Sequence, residues 1–326
     1  MEGDKMEDCL QIRYVKLCFV LECLGDYGLP AQKVSMIRGG IGEMLLQGNC
    51  IGDRRCGSCG FQEECVVQQV YYHRLKIVPD YVKEKESLGY LYECGDTRTE
   101  FREGDILKFN MILFGNVIVH FPAILQAVYR LGLSGLGREK ALFQLTEIVN
   151  HRGEKVLSRN EVCLGFLQPD MISRYVSERM AQMGKPGRMC FVTPLTQKFE
   201  GVFLKEFQEK ALIYSIYRRI YLLNCMEGRE MERICPFQEG LGIVGQRARQ
   251  VKVPRHSSTQ GQTIYLEGIK GSLEIEPTEA ILSWLFAGEL VHIGKNTSMG
   301  FGQYVVERET KAKGTGTSGW MISVKR

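Results

Sequence analysis

The chain spells one order of secondary-structure signals twice, and a duplicated order restricts the fold more tightly than any single motif within it. The stretch from Cys9 to Cys23 carries β-branched and aromatic residues in partial alternation and predicts an opening strand. Pro30 then precedes a stretch in which Val34, Ile37, Ile41, Met44 and Leu45 share one helical face. The run VVQQVYYHRLKIV predicts a second strand ending at Pro79, and Gly104-Asp105 leads into a third, ILKFNMILFG. A second helix is expected over Val117 to Leu131, with Pro122 in its first turns where a missing N–H does least harm. The loop GLSGLG and a fourth strand, KALFQLTEIV, complete the unit. The order is βαββαβ, the split ferredoxin-like (RRM-like) unit: an α+β arrangement with an antiparallel sheet and both helices on one face.

The second half repeats that order. Strand MCFVTPLTQKF is followed by a long helix from about Phe203 to Asn224, strands GIVGQRARQVKV and QTIYLEGIKGSLEI, a helix from Pro277 to Ala287, and a last strand pair interrupted at Gly294. Each half places a glycine-rich loop after its second helix. The expected organisation is two tandem ferredoxin-like domains, residues 1–150 with a cysteine insert at 48–66 and residues 188–308 with a glycine-rich loop at 294–302. Residues 151–187 read as a linker and 309–326 as a loosely ordered tail. A chain of 326 residues with 44% hydrophobic content has material for two cores.

Charged residues make up 25% of the chain and are spread through it, as in a folded protein, and the net charge of +4 permits an RNA partner without announcing one. The segment Met1 to Asp8 is polar and acidic and lacks the basic, apolar and small-residue order of a secretory leader, so a cytoplasmic location is expected. Apolar stretches such as Ile112 to Leu125 read as too short and too interrupted to span a bilayer, so no membrane partner is expected. The 12 cysteines are then expected as reduced thiols or metal ligands.

Cys50, Cys56, Cys59 and Cys65 stand in a C-x5-C-x2-C-x5-C array. The tight central pair can clamp one ion as thiolates and the outer cysteines can complete a tetrahedron, which predicts a structural zinc, with an iron–sulfur cluster as the alternative served by the same ligands. Four thiolates leave no open position for catalysis.

The run His292 to Tyr304, HIGKNTSMGFGQY, is the most informative. Gly294, Gly300 and Gly302, with Ser298 among them, let the backbone approach a ligand and turn N–H groups toward an anion, while Lys295 adds positive charge. Glycine spacing alone favours an ordinary turn between a helix and an edge strand. Basic residues also group: Arg218 and Arg219 on the long helix, then Arg247, Arg249, Lys252 and Arg255 along one strand, where alternation could mark a face turned to phosphates.

Taken together, these runs resemble the CRISPR-associated endoribonucleases of the RAMP (repeat-associated mysterious protein) superfamily. HIGKNTSMGFGQY looks like their carboxy-terminal glycine-rich signature, Arg38-Gly39-Gly40 with Leu45 their Arg-Gly helix, and Cys50 to Cys65 their cysteine insert. FVTPLTQKFEG at 191–201, IYRRIYLL at 216–223 and RHSSTQ at 255–260 resemble three further motifs, in the family's order. The resemblance implies metal-independent processing of precursor CRISPR RNA, part of an antiviral defence. The 2′-hydroxyl beside the scissile phosphate attacks it, leaving a 2′,3′-cyclic phosphate and a 5′-hydroxyl, and no cofactor is needed for that step. Such chemistry needs a base, an acid and positive charge on the phosphorane.

The family commonly carries a catalytic histidine near the end of the first strand or in the following helix, and Leu24 to Leu46 contains none. Tyr27 lies there, but a phenol with a pKa near 10 is a poor base unassisted. His292 and His73 are therefore the candidate base or acid, with Lys295 as charge stabiliser. Arg255, His256 and Gln260 of the resembled strand motif are candidate RNA contacts, His256 by stacking on a base. His120 and His151 read as structural. The expected partners are CRISPR repeat RNA and other CRISPR effector subunits, with the chain acting as a monomer or homodimer. The competing reading is a non-catalytic subunit that binds CRISPR RNA, which the missing histidine keeps open.

Overall fold

Strand β1 (Arg13–Cys23) is lined by side chains on both faces, and the rest of the first domain is arranged around it. Val15, Leu17, Phe19, Leu21 and Cys23 enter one core, while Lys16, Cys18 and Val20 alternate onto the opposite face. The computed structural model describes residues 8–56, 58–72, 75–82, 87–232, 235, 237, 239–257 and 262–309. In it β1 is followed by α1 (Val34–Asn49), α2 (Val66–Tyr71), β2 (Tyr90–Glu93), β3 (Ile106–Phe114), α3 (Phe121–Ser134), β4 (Phe143–Asn150), β5 (Lys155–Ser158) and β6 (Glu161–Val162). The strands form one antiparallel sheet in the order β2-β3-β1-β4-β5-β6, and a two-residue strand, Asp170–Met171, pairs with the start of β1.

The second domain runs α4 (Ile172–Met183), β7 (Pro186–Phe191), α5 (Glu209–Glu227), β8 (Ile243–Ser257), β9 (Gln262–Ile275), α6 (Glu279–Val291) and β10 (Tyr304–Arg308). Its sheet order is β8-β9-β7-β10, all antiparallel. The chain is thus a two-domain α+β protein. In each domain the first long strand lies in the sheet's interior with the next two strands on one side of it; on the other side lie β4, extended by β5 and β6, in the first domain and β10 in the second.

Two cores hold this together. The first lies between the sheet and helices α1 and α3, and takes Val34, Ile37, Ile41, Met44 and Leu45 from α1, the face expected from their spacing. The second crosses the domain boundary. Leu91 of β2 and Ile112 and Phe114 of β3, on the other side of the first sheet, belong to the same cluster as Ile220, Leu223 and Met226 of α5. Part of the sheet face that would be open in an isolated domain is therefore filled by the second domain.

Three local expectations are corrected. The run from Val66 begins as a helix, not a strand, because Val67, Val70 and Tyr71 bury one helical face and that packing overrides the β preference of valine and tyrosine. The stretch 151–187 is no linker: β5 and β6 extend the first sheet, and α4 buries Ile172, Val176 and Met183, with Arg179 of α4 bonded to Glu289 of α6 at 2.8 Å. The expected strand pair around Gly294 is a single strand, β10, preceded by an irregular loop. In addition, the helical run Gly115–Ser134 is by length and composition able to cross a membrane, contrary to expectation, although Phe121, Ile124, Val128 and Leu131 pack it into the first core.

Candidate nucleic-acid interface

The glycine-rich loop leaves α6 at Val291 and lands on the first domain. Its short 3-10 turn, Thr297–Met299, is bracketed by left-handed residues, Asn296 at φ 62° and Gly300 at φ 80°. A β-carbon on Gly300 would stand 3.1 Å from the Tyr92 carbonyl oxygen and from Val34, so this glycine lets the second domain close onto β2 and α1. On Gly302 a β-carbon would meet the Ile293 carbonyl oxygen at 1.8 Å, so that glycine closes the loop on itself.

The expectation that successive loop amides face an anion needs correction. Gly294 N–H donates to Ser215 Oγ at 2.8 Å, Lys295 N–H to Thr196 O at 2.7 Å and Gly302 N–H to Pro194 O at 2.8 Å. Met299, Gly300 and Phe301 donate back to Asn296 and Thr297 within the loop. Those amides are consumed by the fold. Asn296, Thr297 and Ser298 have N–H groups with no acceptor among the described residues, and the Lys295 side chain is exposed beside them.

Facing this turn is an aromatic and basic cluster on the first domain. The Arg38 guanidinium on α1 lies 5.2 Å from the Tyr71 ring centroid and 5.8 Å from that of Tyr90, and its Nε donates to Tyr90 Oη at 2.9 Å. Tyr90 Oη also meets the hydroxyl of Ser298 from the loop. Burial opposes the charge on Arg38, yet the neighbouring Tyr90 and Tyr71 hold its pKa above the ordinary value. Tyr90 itself is raised by burial, so it stays protonated.

Arg255, on β8, lines a neighbouring cleft with Gln32, Ser35 and Glu93 of the first domain and Met299 of the loop. Burial, and then the nearby Arg38, lower its pKa. Among the described residues no carboxylate forms an ion pair with Arg38 or Arg255. Two neighbouring cations, neither of them ion-paired, leave a place for an anion.

A basic track runs away from this cleft. By register, Arg247 stands opposite Ser272, Arg249 opposite Lys270 and Arg255 opposite Ile264, all on one face of the β8–β9 hairpin. Arg249 and Lys270 are like charges in directly opposed positions, with no ion-pair partner among the described residues. Lys252 alternates to the other face, where it pairs with Glu267 at 2.7 Å.

Other expected site residues fall elsewhere. His292 is fully buried, with Nε2 at 3.2 Å from Glu93 Oε1, so it cannot reach a substrate as a catalytic base or acid must. Burial lowers the pKa of His292 and keeps the ring neutral. Burial alone would raise Glu93, but the hydrogen bond from His292, and then the charge of Lys16, hold it far below the usual carboxylate range. Arg219, expected on RNA, is 5% exposed and donates to Val291 O at 3.1 Å and Leu88 O at 3.0 Å across the domain boundary. Arg218 is half-buried with its guanidinium 5.9 Å from the Tyr81 ring centroid. His73, Gln260 and the side chain of His256 lie outside the described residues.

The expected metal centre is also corrected. Among the described residues no group of three or more His, Cys, Asp or Glu side chains is placed to hold an ion, so Cys50, Cys56, Cys59 and Cys65 do not converge into a zinc or iron–sulfur site. The insert is tied down instead by polar contacts: Arg54 to Glu43 at 2.9 Å, Gln62 Nε2 to Cys56 O at 2.9 Å and Arg55 N–H to Asp53 Oδ1 at 3.0 Å. Sequence reasoning overvalued cysteine spacing and missed Tyr90 and Glu93. The alternating YLYE run was their only trace.

Residues 11–167 match a family model described as an N-terminal domain, and residues 189–304 match the model of the CRISPR-associated endoribonuclease Cas6. No curated protein sequence matches the chain. Among solved structures, a partial Cas6-RT-Cas1–Cas2 complex is similar over 96% of this chain, with a TM-score of 0.56 at 13% identity, and the chain spans 48% of that protein, about half its length. A Cas6 product complex is similar over 90% of this chain and 99% of its own, with a TM-score of 0.51 at 16% identity. A Cas6 substrate mimic complex covers 91% and 100% respectively, with a TM-score of 0.50 at 15% identity. At these identities the likeness is one of fold, and the two matched segments follow the division into two domains. The carboxy-terminal domain thus matches the Cas6 family model over residues 189–304, and the fold of the whole chain is similar to that of Cas6 structures.

Proposed function

We propose that this protein is a metal-independent endoribonuclease that cuts CRISPR precursor RNA within its repeats, by attack of a 2′-hydroxyl on the adjacent phosphate. The observation that carries this reading is the Arg38–Arg255 pair, two half-buried cations from different domains with no carboxylate ion-paired to either among the described residues, near Tyr90, Ser298 and exposed Lys295. The match of residues 189–304 to the Cas6 family model supports it. Both domains are read as ferredoxin-like βαββαβ units of the RRM kind, in keeping with the shared sheet order.

In this mechanism Arg38 and Arg255 bind the scissile phosphate and neutralise the charge that grows on the phosphorane, with Lys295 at the mouth of the cleft. The Tyr90 hydroxyl is held protonated and aims Arg38. The RNA continues over Arg247, Arg249 and Lys270 of the hairpin, whose phosphate contacts set register but read no sequence. None of His120, His151 and His292 is the base. His292 is buried, and His151 bonds to Asp170 at 3.3 Å against Tyr14, while His120 lies at the start of α3. The 2′-hydroxyl proton is assigned to His73 or His256, or to solvent. We assign repeat RNA and further CRISPR subunits as partners.

The test is incubation of the full chain with end-labelled repeat RNA in EDTA. A single cut ending in a cyclic phosphate is expected, with Arg38→Ala and Arg255→Ala each slowing it at least about tenfold. Retention of RNA without any cut would replace this reading by the non-catalytic subunit, which the lack of a histidine between Leu24 and Leu46 favours.

A further inference from the structure

His292 follows the last residue of α6 with φ 53° and ψ 162°, a combination that only glycine adopts without strain. Its ring is fully buried, and its Nδ1 has no hydrogen-bond partner among the described residues. The position therefore breaks two local rules at once. A strained backbone and an orphaned buried nitrogen each destabilise, and a glycine would remove both. What the histidine adds is one contact, between Nε2 and Glu93 Oε1 at 3.2 Å.

Glu93 is built to receive it. The carboxylate ends β2 on the face turned toward the second domain, where Lys16 Nζ of β1 at 2.7 Å and Asn110 Nδ2 of β3 at 2.9 Å take its other oxygen. One oxygen is thus fixed by the first domain and the other is left for His292. The same short strand and the residues just before it are held by the second domain. Arg219 donates to Leu88 O, Ser298 meets Tyr90 Oη, and Gly300 closes against the Tyr92 carbonyl. Of these contacts the His292 bond stands at the point where the loop leaves its helix, three residues before Lys295 and six before Ser298.

We propose that His292 is a positioning residue: its bond to Glu93 sets the take-off of the glycine-rich loop against β2, and so holds Ser298 and Lys295 opposite Arg38. His292 is fully buried, and Glu93, which lines the cleft, has both oxygens taken by His292, Lys16 and Asn110. They act through the loop, and a displacement of about an ångström there is enough to lose most of the benefit of an oriented site. This role rests on the cleavage reading given above, but the clamp itself can be measured without RNA.

The decisive variants are His292→Gly, which suits the backbone and deletes the bond, and His292→Gln, which can still donate to Glu93. In RNA-free protein, hydrogen exchange followed by mass spectrometry reads the amides of Met299 to Gly302 and of Tyr90 to Glu93. In His292→Gly the relief of backbone strain offsets much of the emptied ring space and the lost bond, so the Tm is expected to stay near the parental value while both segments exchange at least about tenfold faster. On labelled repeat RNA its single-turnover rate at saturation falls at least about tenfold, with Kd changed less than about threefold. His292→Gln recovers a good part of both losses. Parental exchange and parental cleavage in His292→Gly would overturn the proposal, and so would a loss of rate that only follows a fall in Tm. If the parent chain does not cut RNA, the cleavage reading fails, and faster exchange at unchanged Tm still decides the clamp.

Discussion

Arg255 of β8 and Arg38 of α1 come from different domains and lie close enough that, after burial, the Arg38 charge helps lower the pKa of Arg255. Such a pair is unfavourable in the free protein and becomes favourable when a phosphate enters, so removing one member has opposite effects on the two states. Arg255→Gln is expected to leave the Tm of the RNA-free chain unchanged or higher. The same variant should weaken repeat-RNA binding by about tenfold and flatten the slope of log K against log salt by roughly 0.7 to 0.9, the loss of one phosphate contact. Salt titrations of parent and variant check both numbers. A lower Tm with an unchanged salt slope would make Arg255 a packing residue.

The buried pair at the boundary makes stability depend on pH in a definite direction. His292 is faced by Glu93 of β2, Lys16 of β1 and Arg219 of α5, and burial outweighs Glu93 in setting its pKa below the ordinary 6.5. The unfolded chain then binds a proton more readily than the folded one, so stability is complete above pH 6.5 and declines as pH falls below it. Glu93, held below its ordinary 4.5, contributes stability above that pH and loses it at more acid values. Urea unfolding of the parent should therefore show a falling midpoint from pH 7 to pH 5. In His292→Gln that decline should be smaller, with the acid limb below pH 4.5 still present. Identical profiles over the upper range would show that His292 does not titrate.

Much of the fold was legible because burial followed period. The apolar positions of α1 gave its buried face, and the alternation in β9 gave a strand over Gln262–Ile275. Where period and propensity disagreed, packing decided. The run from Val66 looked like a strand from its valines and tyrosines, yet as a helix it buries Val67, Val70 and Tyr71 on one side. The site was less legible, because it exists only where the domains meet. Arg38 could be read as part of a motif but not as a neighbour of Arg255, 217 positions further along the chain. His292 looked catalytic from its place beside Lys295, since sequence order does not show that the chain turns at Gly294 and leaves one side chain inside and the other in solvent. Cysteine spacing suggested a metal by chemistry alone, and spacing does not fix where the thiols point.

Three glycines with positive φ should differ in a graded way. Gly104 has φ +84° with nothing within 4 Å of the place a methyl would occupy, so Gly104→Ala carries backbone strain alone, about 1 kcal/mol. Gly300→Ala adds contacts at 3.1 Å to Tyr92 O and Val34, raising the cost to roughly 2 kcal/mol, and it presses the domains apart. Gly302→Ala would put a methyl 1.8 Å from a carbonyl oxygen and should be the worst of the three, at about 3 kcal/mol or more. Denaturant unfolding ranks them. Equal costs at positions 104 and 300 would show that the loop does not press on β2 in solution.

Arg249 and Lys270 offer a test in which folding and binding separate. They sit directly opposite each other on the β8–β9 hairpin, and opposed like charges weaken a strand pair that opposed unlike charges strengthen. Arg249→Glu should therefore stabilise the RNA-free chain, by about 0.2 to 1 kcal/mol, because the new carboxylate faces Lys270. The same change removes a phosphate contact and adds a negative charge to the track, so affinity for repeat RNA should fall, most steeply at low salt where phosphate contacts count most. Arg249→Gln separates the two contributions, since it removes repulsion without adding attraction and should fall between parent and Arg249→Glu in both measurements. Lys252→Glu serves as the comparison on the opposite face. It breaks the 2.7 Å pair with Glu267 and should lower stability slightly while changing RNA affinity less than Arg249→Glu does. If both acidic variants weaken RNA equally, the track does not follow the face that carries Arg247, Arg249 and Arg255, and the RNA path must be redrawn around the hairpin.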